Sequence, residues 1–352
     1  CRFSYFCNYG LNVRERQRAE INPMQYGTIV HYILERFFGE YTKEEYLSLE
    51  EDKFKKIVCA YLSEYAVTYF GEEQLESNSF TYRLKTILDN VMYLMKHIME
   101  ELSQSEFFVA DCELKIGEDI PSYTIVLPDG HKIAVCGSVD RVDIMQRADI
   151  TYLRIIDYKT GTKQFKLSDI LYGINLQMLL YLHSIEASGG DKYGDIVPAG
   201  ILYMPATVPY ISSDSLKSID KLPDELNKKL KMNGLLLKDT EIIHGMDKTD
   251  AATYIPVKIK AGEPVSSTSL ATLAEFGKIF KKVDMLIAEM GKNIYNGNIE
   301  AKPLKGGHDS CEYCPYDSVC AYRQSNPITC FYVDNKTVIE EITNEINGKE
   351  EE

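Results

Sequence analysis

The sequence lacks any run of about 18 consecutive apolar residues, and so offers no membrane-spanning helix. Its first residues do not show the basic, apolar and small-residue succession of a secretory signal. A soluble, cytoplasmic protein is expected. No G-x-x-x-x-G-K-[ST] loop occurs, so the chain has no means of its own to run a nucleotide-driven motor. No internal repeat points to a solenoid. Positive charge is scarce: 39 Lys and Arg stand against 53 Asp and Glu, a net charge of -14. That balance argues against a surface coated for phosphate. It does not exclude a site that gathers carboxylates around a metal, or a domain whose larger assembly supplies the grip. The chain opens on Cys1 instead of Met, directly into a structured-looking segment, and is expected to be a piece of something longer.

What is present is enough for a sizeable core: 352 residues, 45% of them hydrophobic, which predicts one large or two ordinary domains. Nine cysteines in a chain read as cytosolic point to metal ligands or buried apolar positions rather than to a disulfide framework. A helix is predicted from Asn22 to Phe38, with Asn22 as N-cap, Pro23 at the first turn and Tyr26, Val30, Ile33 and Phe37 as its apolar stripe. Helices follow at Lys43–Phe70 and Phe80–Leu102. Four strand-like runs come next, at Phe108–Ile116, Tyr123–Leu127, His131–Met145 and Tyr152–Tyr158, with Pro128, Asp129 and Gly130 as a hairpin turn. A helix at Ser168–Ala187, stopped by Ser188, Gly189 and Gly190, leads to a strand at Ala199–Met204. Residues 207–266 are polar and aperiodic, and read as an insertion of loops and short elements. Helical period returns at Thr268–Ile294, a compact Cys-bearing loop occupies Gly306–Ala321, and the end, from Gly348 to Glu352, reads as a frayed acidic tail.

The most informative stretch is Ile155-Ile156-Asp157-Tyr158-Lys159-Thr160-Gly161, preceded by Gly137-Ser138-Val139-Asp140-Arg141-Val142-Asp143. Residues two apart on a strand share a face, so Asp157 and Lys159 project together. Hydrolysis of a phosphodiester needs a hard cation, and such a cation takes carboxylate oxygens. Asp140 and Asp157 supply them, while Lys159 suits the steadying of a nucleophilic water or of charge developing on phosphorus. Taken alone, Asp157-x-Lys159 also reads as an edge-strand ion pair. Gly27 and His31, one turn apart, share a helix face. Gly173, Gln177 and Tyr181 fall at i, i+4 and i+8 of the next predicted helix.

In this order the motifs resemble the RecB-type branch of the PD-(D/E)xK nucleases, and within it the C-terminal nuclease of AddB-type subunits. The resemblance implies a restriction-endonuclease-like α/β fold, a mixed central sheet flanked by helices, with an N-terminal helical region and an inserted 207–266 segment. It implies His31, Asp140, Asp157 and the backbone carbonyl of Tyr158 as ligands of Mg2+ or Mn2+, with Glu113 at a less constant acidic position that meets the metal directly or through water. Asp140, Asp157, Lys159, Gln177 and Tyr181 are the implied catalytic set, and Asp143 reads as a structural partner of Arg141. The implied activity is exonucleolytic cutting of single-stranded DNA, on the 5′-ended strand. The implied setting is a heterodimer with an AddA-type helicase–nuclease subunit that processes double-strand breaks. A stand-alone exonuclease of the CRISPR-associated type and a non-catalytic DNA-positioning domain are the alternatives.

Cys311, Cys314 and Cys320 give C-x2-C-x5-C, three ligands of a site that needs a fourth, and spacing does not choose between zinc and an iron–sulfur cluster. The resemblance implies a [4Fe-4S] cluster, with Cys1 as the fourth ligand and Cys7 as the alternative. Arg2 stands where the family's entry motif has proline. Such clusters are lost when the ligand set is disturbed. Cys59, Cys112, Cys136 and Cys330 read as buried or incidental. The expected division is a single nuclease domain over 1–325, comprising a helical part (1–106), a catalytic core (107–206), the insertion (207–266) and a helix with the Cys loop (267–325). A C-terminal tail fills 326–352.

Overall fold

The structure is a computed structural model that describes residues 1–14, 23–71, 76–161, 164–209, 211, 222–260, 263–264, 268–320, 322 and 327–350. Helix α1 runs over Pro23–Glu40. Asn22, the expected N-cap, lies outside the described residues. The apolar positions Ile29, Val30, Ile33, Leu34 and Phe37 are all buried, at the i, i+4, i+8 spacing that turns one stripe inward. The stretch expected as one helix from Lys43 to Phe70 is broken into Lys43–Leu47 and α2, Glu51–Phe70. Thr42 caps the first piece through a reciprocal capping box with Glu45, and its short run ends at Ser48 before α2 starts afresh. Helix α3, Asn78–Ser103, buries Ile87, Val91, Leu94, Met95, Ile98 and Leu102 on one face.

The strands begin with β1, Phe108–Ile116, followed by β2, Tyr123–Val126, and β3, Lys132–Val135. β2 and β3 pair as the expected hairpin, and Gly130 in its turn takes φ 87°, a conformation that glycine adopts freely. The single strand read from His131 to Met145 is two: β3 ends at Val135, and β4 occupies Gly137–Arg147 in a different sheet. After β5, Ile150–Lys159, comes a 3-10 turn at Leu167–Tyr172 and then α4, Gln177–Ser188. The helix predicted over Ser168–Ala187 is thus interrupted. Gly173 and Asn175 both have positive φ, 68° and 52°, so the α-helical hydrogen-bond pattern restarts only at Gln177. Gly173 is therefore not on one helix face with Gln177 and Tyr181.

β6, Asp195–Pro205, runs parallel to β5. Residues 207–266 are not simply an appendage. Within them β7, Asn233–Leu237, pairs antiparallel with β6, and its Leu235 and Leu236 are buried in the core. β8, Leu270–Ala271, completes a mixed six-stranded sheet of order β1-β4-β5-β6-β7-β8. Leu235 to Leu237 are too few apolar residues in a polar stretch to give a period, and only pairing with β6 makes them a strand. Helix α5, Leu273–Tyr295, opens on a capping box between Thr272 and Glu275. β9, Leu304–Gly306, lies parallel to β10, Ile328–Cys330, and brackets the Cys loop.

The segment expected as a tail is helix α6, Asn335–Glu350, with Val338, Ile342 and Ile346 buried. Lys282 of α5 is itself buried and reaches Glu345 of α6 at 2.5 Å. A four-residue apolar period and an ion pair from buried Lys282 to the partly exposed Glu345 fix α6 against α5, which an acidic composition did not disclose. Among the described residues, no helix is long and apolar enough to cross a membrane.

Candidate active site

α1, β1, β4 and β5 deliver their side chains to one cleft. His31 leaves α1 with Nδ1 3.0 Å from Glu113 Oε1 and Nε2 3.7 Å from Asp140 Oδ2. One nitrogen, one Glu113 oxygen and one Asp140 oxygen lie within 4.8 Å of one another, an arrangement able to hold a cation. Asp157 and Lys159 project from the end of β5, their charges 2.5 Å apart. Asp157 is buried, and its Oδ2 makes no aligned hydrogen bond among the described residues. That oxygen faces the Lys159 ammonium as an ion pair, and a carboxylate so placed still has lone pairs to offer a metal. The donor set, two to three carboxylates and an imidazole, fits Mg2+ or Mn2+ better than a soft metal.

The sheet explains how the two aspartates meet. β4 and β5 are antiparallel with Arg141 opposite Ile156, so the register carried one residue on sets Asp140 across from Asp157. The Tyr158 amide donates to Asp140 Oδ2 at 2.9 Å. Burial raises the Asp140 carboxyl to about 6, with Asp157 and Glu113 adding to the shift and His31 and the Tyr158 amide opposing it. Burial also pulls His31 down, but the Glu113 hydrogen bond and the charges of Asp140, Glu113 and Asp157 outweigh it, and the net shift is upward. A cation placed among them would relieve this crowding of acids.

Glu113 sits in the middle of β1 with φ 49°, a left-handed conformation that costs a non-glycine residue about 1–3 kcal/mol and clusters at functional sites. Its two oxygens are both held, one by His31 and one by Ser138 Oγ at 2.8 Å. Ser138 was not singled out from the sequence. Its signal was there, since Ser138 and Asp140 share a face of β4 by the two-residue period.

Gln177 and Tyr181 lie on α4, 3.5 Å apart from Nε2 to Oη. What Tyr181 meets is Gly137: a Cβ added there would stand 2.1 Å from the tyrosine oxygen. The glycine of the G-x-x-D motif is the seat of the tyrosine of the Q-x-x-x-Y motif. Gly27 has no comparable constraint. A Cβ there would lie 3.6 Å from Thr160 Cγ2, ordinary contact, so close approach of the sheet is not what calls for glycine.

Arg141 and Asp143 do not enter the cleft. With Arg154 and Glu101 they form a cluster of four charges with no exposed side-chain surface. Arg141 Nε and Nη2 donate to Asp143 at 2.6 and 2.7 Å, and Arg154 Nη2 donates to Glu101 at 2.6 Å. Burial pushes the Asp143 carboxyl up, yet the two guanidinium groups hold it below the usual range. The sequence pairing of Asp143 with Arg141 is present, and Glu101 of α3 and Arg154 of β5 are its unforeseen members.

Away from this cleft, Cys1 is exposed and Cys311, Cys314 and Cys320 are partly buried, all four as free thiols. Tyr316 Oη donates to the Val13 carbonyl at 2.8 Å and draws the Cys loop to the N-terminal segment. Cys320 donates its amide to the Tyr316 carbonyl within that loop. Cys7, the alternative ligand, and Cys330 are buried, Cys59 and Cys112 are partly so, and Cys136 is exposed.

Comparison with known proteins agrees with this geometry. Residues 1–321 match the PD-(D/E)XK nuclease superfamily. Among curated proteins the chain resembles AddB, one of the subunits of the ATP-dependent helicase/deoxyribonuclease. It is 34% identical over 334 residues to that protein from Thermoanaerobacter sp. strain X514, covering 92% of this chain and 29% of the relative. It is 33% identical over 346 residues to the protein of the same name from Ruminiclostridium cellulolyticum, covering 94% and 30%. With the Clostridium kluyveri protein of that name the identity is 34% over 369 residues, covering 100% and 32%. The chain thus spans about a third of the length of the curated relatives it matches. With a mixed sheet that brings an imidazole, three carboxylates and a lysine to one cleft, and a family match over nearly its whole length, the chain belongs to the PD-(D/E)XK nuclease superfamily.

Proposed function

We propose that this chain is a metal-dependent exodeoxyribonuclease unit that cuts single-stranded DNA, acting on the 5′-ended strand within an AddAB-type helicase–nuclease that processes double-strand breaks in the cytoplasm. An AddA-type subunit is the partner in this reading. The observation that carries it is the convergence of His31 from α1, Asp140 from β4, and Asp157 and Lys159 from β5 on one cleft. The names of the relatives, each a helicase/deoxyribonuclease subunit, support the setting.

In this reading His31 Nε2, Asp140, Asp157 and the Tyr158 carbonyl hold Mg2+ or Mn2+, which when bound polarises the phosphate and acidifies a water. The chain's own residues do the rest. Glu113 accepts from His31 Nδ1 and so fixes the tautomer that turns Nε2 toward Asp140, a carboxylate–histidine arrangement common around metals. The Tyr158 amide orients Asp140 through its 2.9 Å hydrogen bond. Lys159, about a third exposed and held by Asp157, presents an ammonium where negative charge grows on the phosphorus oxygens. Gln177 and Tyr181 position the strand on the α4 side. For Cys1, Cys311, Cys314 and Cys320 we propose a structural [4Fe-4S] cluster, supported by the hydrogen bond of Tyr316 to Val13, which draws the Cys loop to the N-terminal segment.

The test is cleavage of single strands labelled separately at the 5′ and 3′ ends, with Mg2+ or Mn2+ and with chelator. Metal-dependent release of short products from the 5′ end is expected. Cutting that persists undiminished in chelator overturns the metal role, and release from the 3′ end alone overturns the polarity.

A further inference from the structure

Beside the metal ligands, the cleft continues along α1 and α2 as a wall of tyrosines. Its volume is about 750 Å³, and its lining includes His31, Glu113 and Lys159 together with Tyr32, Tyr65 and Tyr69. The three rings form a tilted row: Tyr32 to Tyr65 at 5.2 Å between centroids with the planes 58° apart, and Tyr65 to Tyr69 at 4.4 Å with the planes 32° apart. Tyr65 is buried and Tyr32 half-buried, but Tyr69 is 64% exposed. A large aromatic ring held from behind by a second ring, with most of its surface open to a cleft, is a stacking surface with one side ready for use.

Charge narrows what can lie on it. Glu35 and Glu113 both line this cleft, while Lys115, also in its lining, is paired to Glu118 at 3.3 Å. Arg36, which reaches the Tyr32 hydroxyl, is already paired with Glu40 and Glu64, so the carboxylates on this wall disfavour a phosphate there, whereas an uncharged base has a π-face to offer. Aromatic platforms hold single strands by their bases, whatever the sequence.

Resting on the nuclease reading above, we propose that Tyr69, backed by Tyr65 and Tyr32, is a base-stacking subsite that seats one nucleotide of the single strand beside the metal ligands. The strand is then gripped by its bases on this side more than by its phosphates. This reconciles a net charge of -14 with a polyanionic substrate, and makes affinity less dependent on salt than a phosphate-based grip would be.

The experiment uses the full chain with Ca2+ in place of Mg2+ and reads binding by fluorescence anisotropy. The probes are a labelled oligothymidylate and an abasic strand of equal length. Tyr69→Ala is expected to weaken oligothymidylate binding about tenfold, while Tyr69→Phe and Tyr69→Trp retain it. The abasic strand binds weakly from the outset and responds to none of the three. In cleavage with Mg2+ the alanine variant raises KM with little change in kcat. Equal affinity of Tyr69→Ala and wild type for oligothymidylate overturns the subsite while leaving the nuclease intact. Equal losses on both probes overturn it as well, because they mark a structural effect. A wild-type chain that neither binds nor cuts either strand overturns the nuclease reading, and this subsite with it.

Discussion

Lys159 reaches the cleft as a charge, not as a metal ligand, and that separates its loss from the loss of the site. Lys159→Ala is expected to lower cleavage of single-stranded DNA by about 100-fold or more, while metal binding followed by calorimetry persists. Full activity in this variant would refute the role. Gly137→Ala probes a different relation. Its new methyl group would overlap the Tyr181 ring, whose oxygen and Cζ stand 2.1 and 2.6 Å from the added atom. Overpacking of this kind costs about 1–3 kcal/mol, and Tyr181→Ala introduced alongside should recover most of it in denaturant unfolding. If the double variant is no more stable than Gly137→Ala, the two motifs are not coupled as described. Such residues were legible because unusual types recur at fixed spacing: a glycine, an imidazole, three acids and a lysine. Ser138 and Tyr69 were not, since serine and tyrosine are common and their roles arise only from what folds against them.

Among the elements, α3 is tied to the sheet by charge. Glu101 meets Arg141 and Arg154 where no water reaches. Removing one member of a buried cluster leaves the others uncompensated, so Glu101→Gln should cost about 3–5 kcal/mol. A loss under about 1 kcal/mol would show that the cluster relaxes. α4 and α5 are joined by His183, whose Nε2 is 3.2 Å from both Tyr123 Oη and Asp284 Oδ2, and whose ring stacks on Phe280. Burial lowers this imidazole, but the hydrogen bond to Asp284 and the nearby Glu186 carboxylate prevail and raise it to about 9. Folding therefore favours the protonated ring. Its contribution is complete below about 6.5, the unfolded value, and fades as pH climbs through about 9. Melting temperatures should show His183→Gln well below wild type near pH 6 and converging on it near about pH 10. A constant gap would remove histidine protonation as the cause. Helices with long apolar periods, such as α3 and α5, could be read to within a few residues. β7 and α6 could not, because a five-residue strand and an acidic helix take their identity from β6 and α5.

Across the whole molecule, the N-terminal segment and the Cys loop close a circuit around the fold through Tyr316 and Val13. A cluster bridging Cys1 to Cys320 would restrict the unfolded chain over nearly its full length. Anaerobically prepared protein should contain iron, and Cys314→Ala should melt at lower temperature. Stoichiometric zinc would overturn the cluster. The fold class was legible because helices, strands and motifs come in a family order. Which distant segments touch was not, since nothing in Val13 or Tyr316 names its partner.

The pairing of β4 with β5 sets two acids face to face at the tip of the ladder, and like charges placed directly across a strand pair push apart. An ion bound between them would latch this end of the sheet. Without such an ion this end of the sheet would be slacker and easier for proteases to open. Chelator followed by Mn2+ in a melting experiment should reveal that latch as a rise of several degrees, much reduced in Asp140→Asn.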